Sequence, residues 1–114
     1  VTGPEVVTGS TRMKAGTATK LILNMISTAT MIKLGKVYGN LMVDLMAVND
    51  KLVDRGTRII EQLTDLDYDG AQLKLFEAEK SVKTAIVMEK FNCTLNEARE
   101  KLENASGFLR NLID

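Results

Sequence analysis

The stretch Thr8-Gly9-Ser10-Thr11-Arg12-Met13-Lys14-Ala15-Gly16-Thr17 reads as a loop turning into a helix whose first turn carries the wrong charge. A helix N-terminus bears partial positive charge and is stabilised by nearby Asp or Glu, so Arg12 and Lys14 cost stability there unless something negative is bound. The amides of Gly9, Ser10 and Thr11, two hydroxyls and two cations would together suit a phosphorylated or carboxylated small molecule. The competing reading is a Ser/Thr-capped helix start whose basic side chains turn into solvent or pair with acids elsewhere. Local physics does not separate the two.

Upstream, Val1 to Thr8 is short, apolar and broken by Gly3-Pro4, which suits the end of a strand running into a loop. Glu5 is the sole acid before Asp44. Read locally, it pairs with Arg12 or Lys14 and orders the loop. Downstream, the pattern is helical from about Thr11 to Leu34, with Ala18, Leu21, Ile22, Met25, Ile26, Ala29 and Ile32 at spacings of three and four. Leu23, Met31 and Leu34 fall on other faces. Such a helix must be covered on several sides, and the expected cover is a sheet from further upstream or a second subunit. Gly35 ends it, with Lys33 and Lys36 at the negative helix end. Asn24, Ser27, Thr28, Thr30 and Lys33 interrupt its apolar run, which argues against a membrane span.

After a brief connector, Lys36 to Asn40, a second long helix is predicted from Leu41 to about Leu63, with Met42, Leu45, Met46, Asn49, Leu52, Val53, Ile59, Ile60 and Leu63 at helical spacing. Asn49 among these apolar positions is read as a satisfied core amide in preference to a group facing a site. Tyr38, Asn40 and Asp44 either support a pocket or cap this helix. The methionines Met25, Met31, Met42 and Met46 read as adaptable packing.

An acidic, turn-like segment from Thr64 to Asp69 marks a boundary, so residues 1–64 and 65–114 are expected to be separate domains. Beyond it the helices shorten. Asp69-Gly70-Ala71-Gln72 resembles a capping box for a helix through about Ala78, and Thr94-Leu95-Asn96-Glu97 is one for a helix through about Asn104. Ser81 caps a predicted helix from Val82 to about Phe91, and Ser106 one from Gly107 or Phe108 to Ile113. The four pieces form an internal repeat, because Ala71, Lys74, Leu75, Ala78, Val82 and Ile86 align at one constant offset with Ala98, Lys101, Leu102, Ala105, Leu109 and Ile113.

The chain has 114 residues, the size of one small domain or one and a piece. With 15 basic and 15 acidic side chains, its overall charge argues for neither nucleic acid nor an anionic membrane as partner. One cysteine, Cys93, and no histidine exclude a disulfide framework or a Cys/His metal site built from this chain, and a reduced cytosolic setting fits best. The opening Val1-Thr2-Gly3-Pro4 lacks both an initiator Met and a signal-peptide pattern, which leads us to expect a fragment of a longer protein.

The run from Thr2 through the Gly9-Ser10-Thr11-Arg12 core to Lys20, followed by Leu23-Asn24-Met25-Ile26-Ser27-Thr28 and Gly35-Lys36-Val37-Tyr38-Gly39-Asn40-Leu41-Met42-Val43-Asp44, closely resembles the C-terminal part of bacterial N-acetylmuramic acid 6-phosphate etherases. It is also similar to glucokinase regulatory protein, and both fall in the sugar isomerase (SIS) superfamily. The resemblance implies a mainly α fold: two long helices from the end of an α/β SIS domain, then a small four-helix module similar to ubiquitin-associated domains. It implies a lyase that releases D-lactate and N-acetylglucosamine 6-phosphate, with two catalytic glutamates and the main phosphate loop upstream, so that no catalytic residue falls in this chain. It further implies a substrate wall at Glu5, Thr8, Gly9, Ser10, Thr11, Arg12 and Lys14, a phosphorylated amino sugar as ligand, a homodimer in the cytoplasm, and no metal or other cofactor. The alternative is a non-catalytic sugar-phosphate sensor of the regulatory-protein type, and a weaker one is a plain helical oligomerisation module.

Overall fold

A computed structural model describes residues 2–113, which fall into two compact units, residues 2–33 and residues 34–113. The first unit is a loop followed by helix α1, Ala15–Lys33. This helix starts four residues later than its apolar pattern, because residues 12–14 form a turn. Within it no residue is buried, and Leu21, Ile22, Leu23, Met25, Ile26 and Ile32 are all more than half exposed.

The second unit opens with a hairpin, β1 Val37–Tyr38 and β2 Leu41–Met42, paired antiparallel with Val37 opposite Met42 and Tyr38 opposite Leu41. Here the structure corrects the expected helix from Leu41, since helix α2 runs only from Asp50 to Leu63. Gly39 is the reason. It takes a φ of 61° as the first of two loop residues, the position where a tight hairpin turn demands a conformation easy only for glycine. Residues 43–47 then alternate with the period of an extended chain, with Val43 and Ala47 buried, Leu45 half-buried, and Asp44 and Met46 exposed. The extended segment is held by backbone bonds from Val82 N to Leu45 O (3.2 Å) and from Ala47 N to Lys80 O (3.0 Å). Asn49 is accordingly no core amide. It is exposed, and its side-chain oxygen accepts from Leu52 N at 2.9 Å as the N-cap of α2.

Helices α3 (Tyr68–Glu77), α4 (Val82–Phe91), α5 (Leu95–Asn104) and α6 (Arg110–Ile113) complete the unit. Ser81 and Thr94 cap α4 and α5 as expected. Two other caps differ: α3 is capped by Asp67, which accepts from Gly70 N at 2.8 Å, two residues before the expected Asp69, and Ser106 sits at φ 55°, inside a turn and not at the head of α6. The core gathers Ile60, Leu75, Val82, Ile86 and Leu109, all essentially inaccessible. Helix α2 packs on α3 and α4, and α4 packs on α5. The α2–α4 approach depends on Gly56, where an added Cβ would lie 2.8 Å from Val82 Cγ2.

The internal repeat is real at the level of backbone. N-caps Asp67 and Thr94, helices 68–77 and 95–104, and C-caps Ala78 and Ala105 are separated by one spacing. After each C-cap come two residues in left-handed conformation, Glu79-Lys80 at φ 55° and 67°, and Ser106-Gly107 at 55° and 79°. The hydrogen bonds also repeat: Lys80 N to Leu75 O and Gly107 N to Leu102 O are both 2.8 Å.

Candidate functional site

The loop before α1 is built from two turns. Ser10 N donates to Val7 O at 2.9 Å, and Gly9, at φ 84°, occupies the third position of that turn, where a type II geometry needs a positive φ. Gly16 N then reaches back to Thr11 O at 2.7 Å, and a Cβ on Gly16 would stand 3.2 Å from that oxygen. These two glycines bend the chain so that Glu5 meets the start of the helix.

Glu5 is the negative group that the helix start calls for. Its Oε1 accepts from Ala15 N at 2.9 Å, and its Oε2 accepts from Lys14 N at 3.1 Å. A carboxylate on two first-turn amides neutralises the positive helix end, which explains how Arg12 and Lys14 are tolerated beside it. Glu5 therefore orders the loop, although through backbone amides and not through an ion pair with Arg12 or Lys14. Neither cation enters an ion pair among the described residues. Thr8, Gly9, Thr11, Arg12 and Lys14 are exposed, while Glu5 and Ser10 are half-buried.

Next to the turn runs an open groove of about 570 Å³ along α1, lined by Thr11, Gly16, Thr19, Lys20, Leu23 and Asn24. Of the seven residues expected from sequence it includes only Thr11. Thr19, Lys20 and Asn24 line it as well, and Gly16, Lys20 and Asn24 stand four apart on one helical row. No cluster of side chains suited to a metal ion occurs among the described residues. No helix there is long and apolar enough to cross a membrane.

No protein-family model matches the chain. Curated relatives do. It is 63% identical over 109 residues to a protein of Oceanobacillus iheyensis, covering 96% of this chain and 37% of the relative, and 57% identical over 113 residues to one of Shouchella clausii, covering 99% and 38%. A Bacillus cytotoxicus protein is 55% identical over 112 residues, with 98% of this chain covered. All three are named N-acetylmuramic acid 6-phosphate etherase. The chain thus spans a little over a third of the length of these relatives.

Proposed function

We propose, from a chain that corresponds over nearly its whole length to the C-terminal part of N-acetylmuramic acid 6-phosphate etherases, that the parent protein is such an etherase and that residues 5–14 form one wall of its sugar-phosphate site. Identity of 54–63% with proteins carrying that name is the observation that supports it. The parent would remove the proton at carbon two of the sugar and expel lactate from carbon three. Water then adds across the resulting double bond, and N-acetylglucosamine 6-phosphate and D-lactate leave. The acid and base for those steps are assigned to upstream glutamates. Nothing in this chain is given a catalytic role.

Within that reading Glu5 shapes the wall and the other six residues face the ligand. Its carboxylate occupies the Lys14 and Ala15 amides, so an anionic sugar is met by the Arg12 and Lys14 side chains and by the hydroxyls of Thr8, Ser10 and Thr11. Residues 1–64 are assigned to the end of an SIS domain and residues 65–114 to an appended module of ubiquitin-associated type, whose helices α3 and α4 pack on α2 and share one core with it. The assembly is taken as a cytoplasmic homodimer without metal.

The test is D-lactate release from N-acetylmuramic acid 6-phosphate by the full-length parent. Release is expected, and Arg12→Ala with Lys14→Ala should raise KM about tenfold to a hundredfold, the loss typical of charge-assisted contacts. Sugar-phosphate binding with no lactate release would turn the assignment to the non-catalytic sensor. An unchanged KM in the double variant would remove residues 5–14 from the site and leave a packing role.

A further inference from the structure

The groove along α1 has a chemistry of its own. Lys20 is the cation that lines it, since Arg12 and Lys14 do not, and Asn24 stands one turn further along the same row. Neither side chain is engaged: among the described residues Lys20 enters no ion pair, and Asn24 makes hydrogen bonds only through its backbone, whose carbonyl accepts from Ser27 Oγ at 3.2 Å. Thr19 differs, because its hydroxyl proton is committed to Ala15 O at 2.8 Å. No acid occurs anywhere in α1, so the helix itself holds nothing for Lys20 to pair with. Beside these polar groups lie Ala15 and the exposed side chain of Leu23.

One ammonium and one amide next to apolar side chains suit a small group that carries a single carboxylate and a methyl. A phosphate dianion is a poorer match, because it calls for several convergent donors. N-acetylmuramic acid 6-phosphate, the compound in the relatives' name, carries such a group in its D-lactyl ether on carbon three. The register also fits. Lys20 follows Gly16 by about 6 Å along the helix axis, which is the scale of a three-carbon arm with its ether oxygen. Thr11, which belongs to the wall, also lines the groove, so a sugar held at the wall has this row beside it.

We propose, resting on the etherase reading above, that the α1 groove holds the lactyl arm of the substrate, with Lys20 and Asn24 on its carboxylate and Leu23 against its methyl. The two polar residues thereby set specificity. They retain the compound that bears lactate in preference to the same phosphosugar without it, and no bond or proton changes hands at either side chain.

The experiment compares the full-length parent with its Lys20→Gln variant on two compounds that differ only in the lactyl arm: N-acetylmuramic acid 6-phosphate as substrate and N-acetylglucosamine 6-phosphate as competitive inhibitor. Glutamine keeps the helix propensity of lysine, so α1 is retained. KM for the first should rise about tenfold with kcat little changed, because the contact is made alike in the ground state and the transition state. The inhibition constant for the second should stay within about twofold, and Lys20→Arg should recover most of the lost affinity. An unchanged KM, or equal weakening of both compounds, overturns the proposal, while lactate release by the wild type leaves the etherase reading standing. If the wild type releases no lactate, that reading falls and calorimetric binding of the same two compounds decides the groove. A preference for the lactyl compound that is lost in Lys20→Gln supports it; no preference in the wild type, or one that survives the substitution, overturns it.

Discussion

Glu5 decides the local electrostatics of the first unit. An acid outside the helix supplies the negative charge that residues 12–17 lack, and its two contacts with the Lys14 and Ala15 amides state what its loss removes. Glu5→Ala leaves the Lys14 and Ala15 amides without their carboxylate and should cost the first turn of α1 about 1 kcal/mol, typical of a lost N-cap. Exchange at those two amides should rise about fivefold, read by NMR. Glu5→Gln keeps an acceptor and should recover part of the effect. Gly56 makes a different kind of demand. A methyl there would press on Val82 at 2.8 Å from a branched, fully buried side chain. Overpacking of this sort costs about 1–3 kcal/mol, so Gly56→Ala should lower the urea midpoint of the second unit despite alanine's better helix propensity.

At the scale of elements, what could be read from sequence was what chemistry marks locally. Ser81 and Thr94 announced α4 and α5, since a hydroxyl before a run of helix formers has few other uses. The extended segment 43–48 was hidden, because its alternation lasts only a few residues and its apolar members also fit a helical spacing that continues into α2. Asn49 was misread for the same reason: a residue taken as mid-helix is in fact where the helix begins. The repeat gives a sharper expectation. Lys80 holds a left-handed φ of 67° where its counterpart is Gly107. Lys80→Gly should therefore stabilise the unit by about 0.5–1 kcal/mol, the steric relief being partly offset by glycine's larger unfolded-state freedom, and Gly107→Ala should do the reverse. Paired urea titrations would show opposite shifts of midpoint. Between α2 and α3, Tyr68 Oη donates to Asp54 Oδ1 at 2.7 Å while Arg58 bonds Oδ2 at 3.0 Å. The Tyr68 hydrogen bond and then Arg58 hold the Asp54 carboxyl below its usual range, and the same bond raises the Tyr68 hydroxyl. The depressed carboxyl contributes stability that is present above about pH 4 and is lost as pH falls through its folded value. The raised phenol contributes stability that is present below about pH 10 and is lost as pH climbs through its folded value. Thermal midpoints across pH should thus show a plateau between these limits, and Tyr68→Phe should flatten the alkaline fall.

For the whole molecule, helical content was legible outside residues 37–49, because a sequence with one proline and apolar residues at spacings of three and four has little else to become. The candidate wall was legible only as a charge anomaly. Its resolution by Glu5 depends on two turns that no periodicity reveals. The strongest expectation at this scale concerns α1, which the sequence marked as needing cover on several sides and in which no residue is buried. Leu21, Met25, Ala29 and Ile32 share one open apolar strip with little polar lining. Soluble chains rarely leave such strips in water, and the free energy of hiding one is roughly 25 cal/mol per Å² of apolar surface. In isolation the 114-residue chain should therefore self-associate, sedimenting as a species heavier than one chain at micromolar concentration. Replacing Leu21, Met25 and Ile32 together by Gln should return it to a single chain while leaving the urea transition of residues 34–113 in place, since none of the three belongs to that unit's core. A chain that sediments as a monomer would show that the strip does not drive association at that concentration and would overturn this expectation.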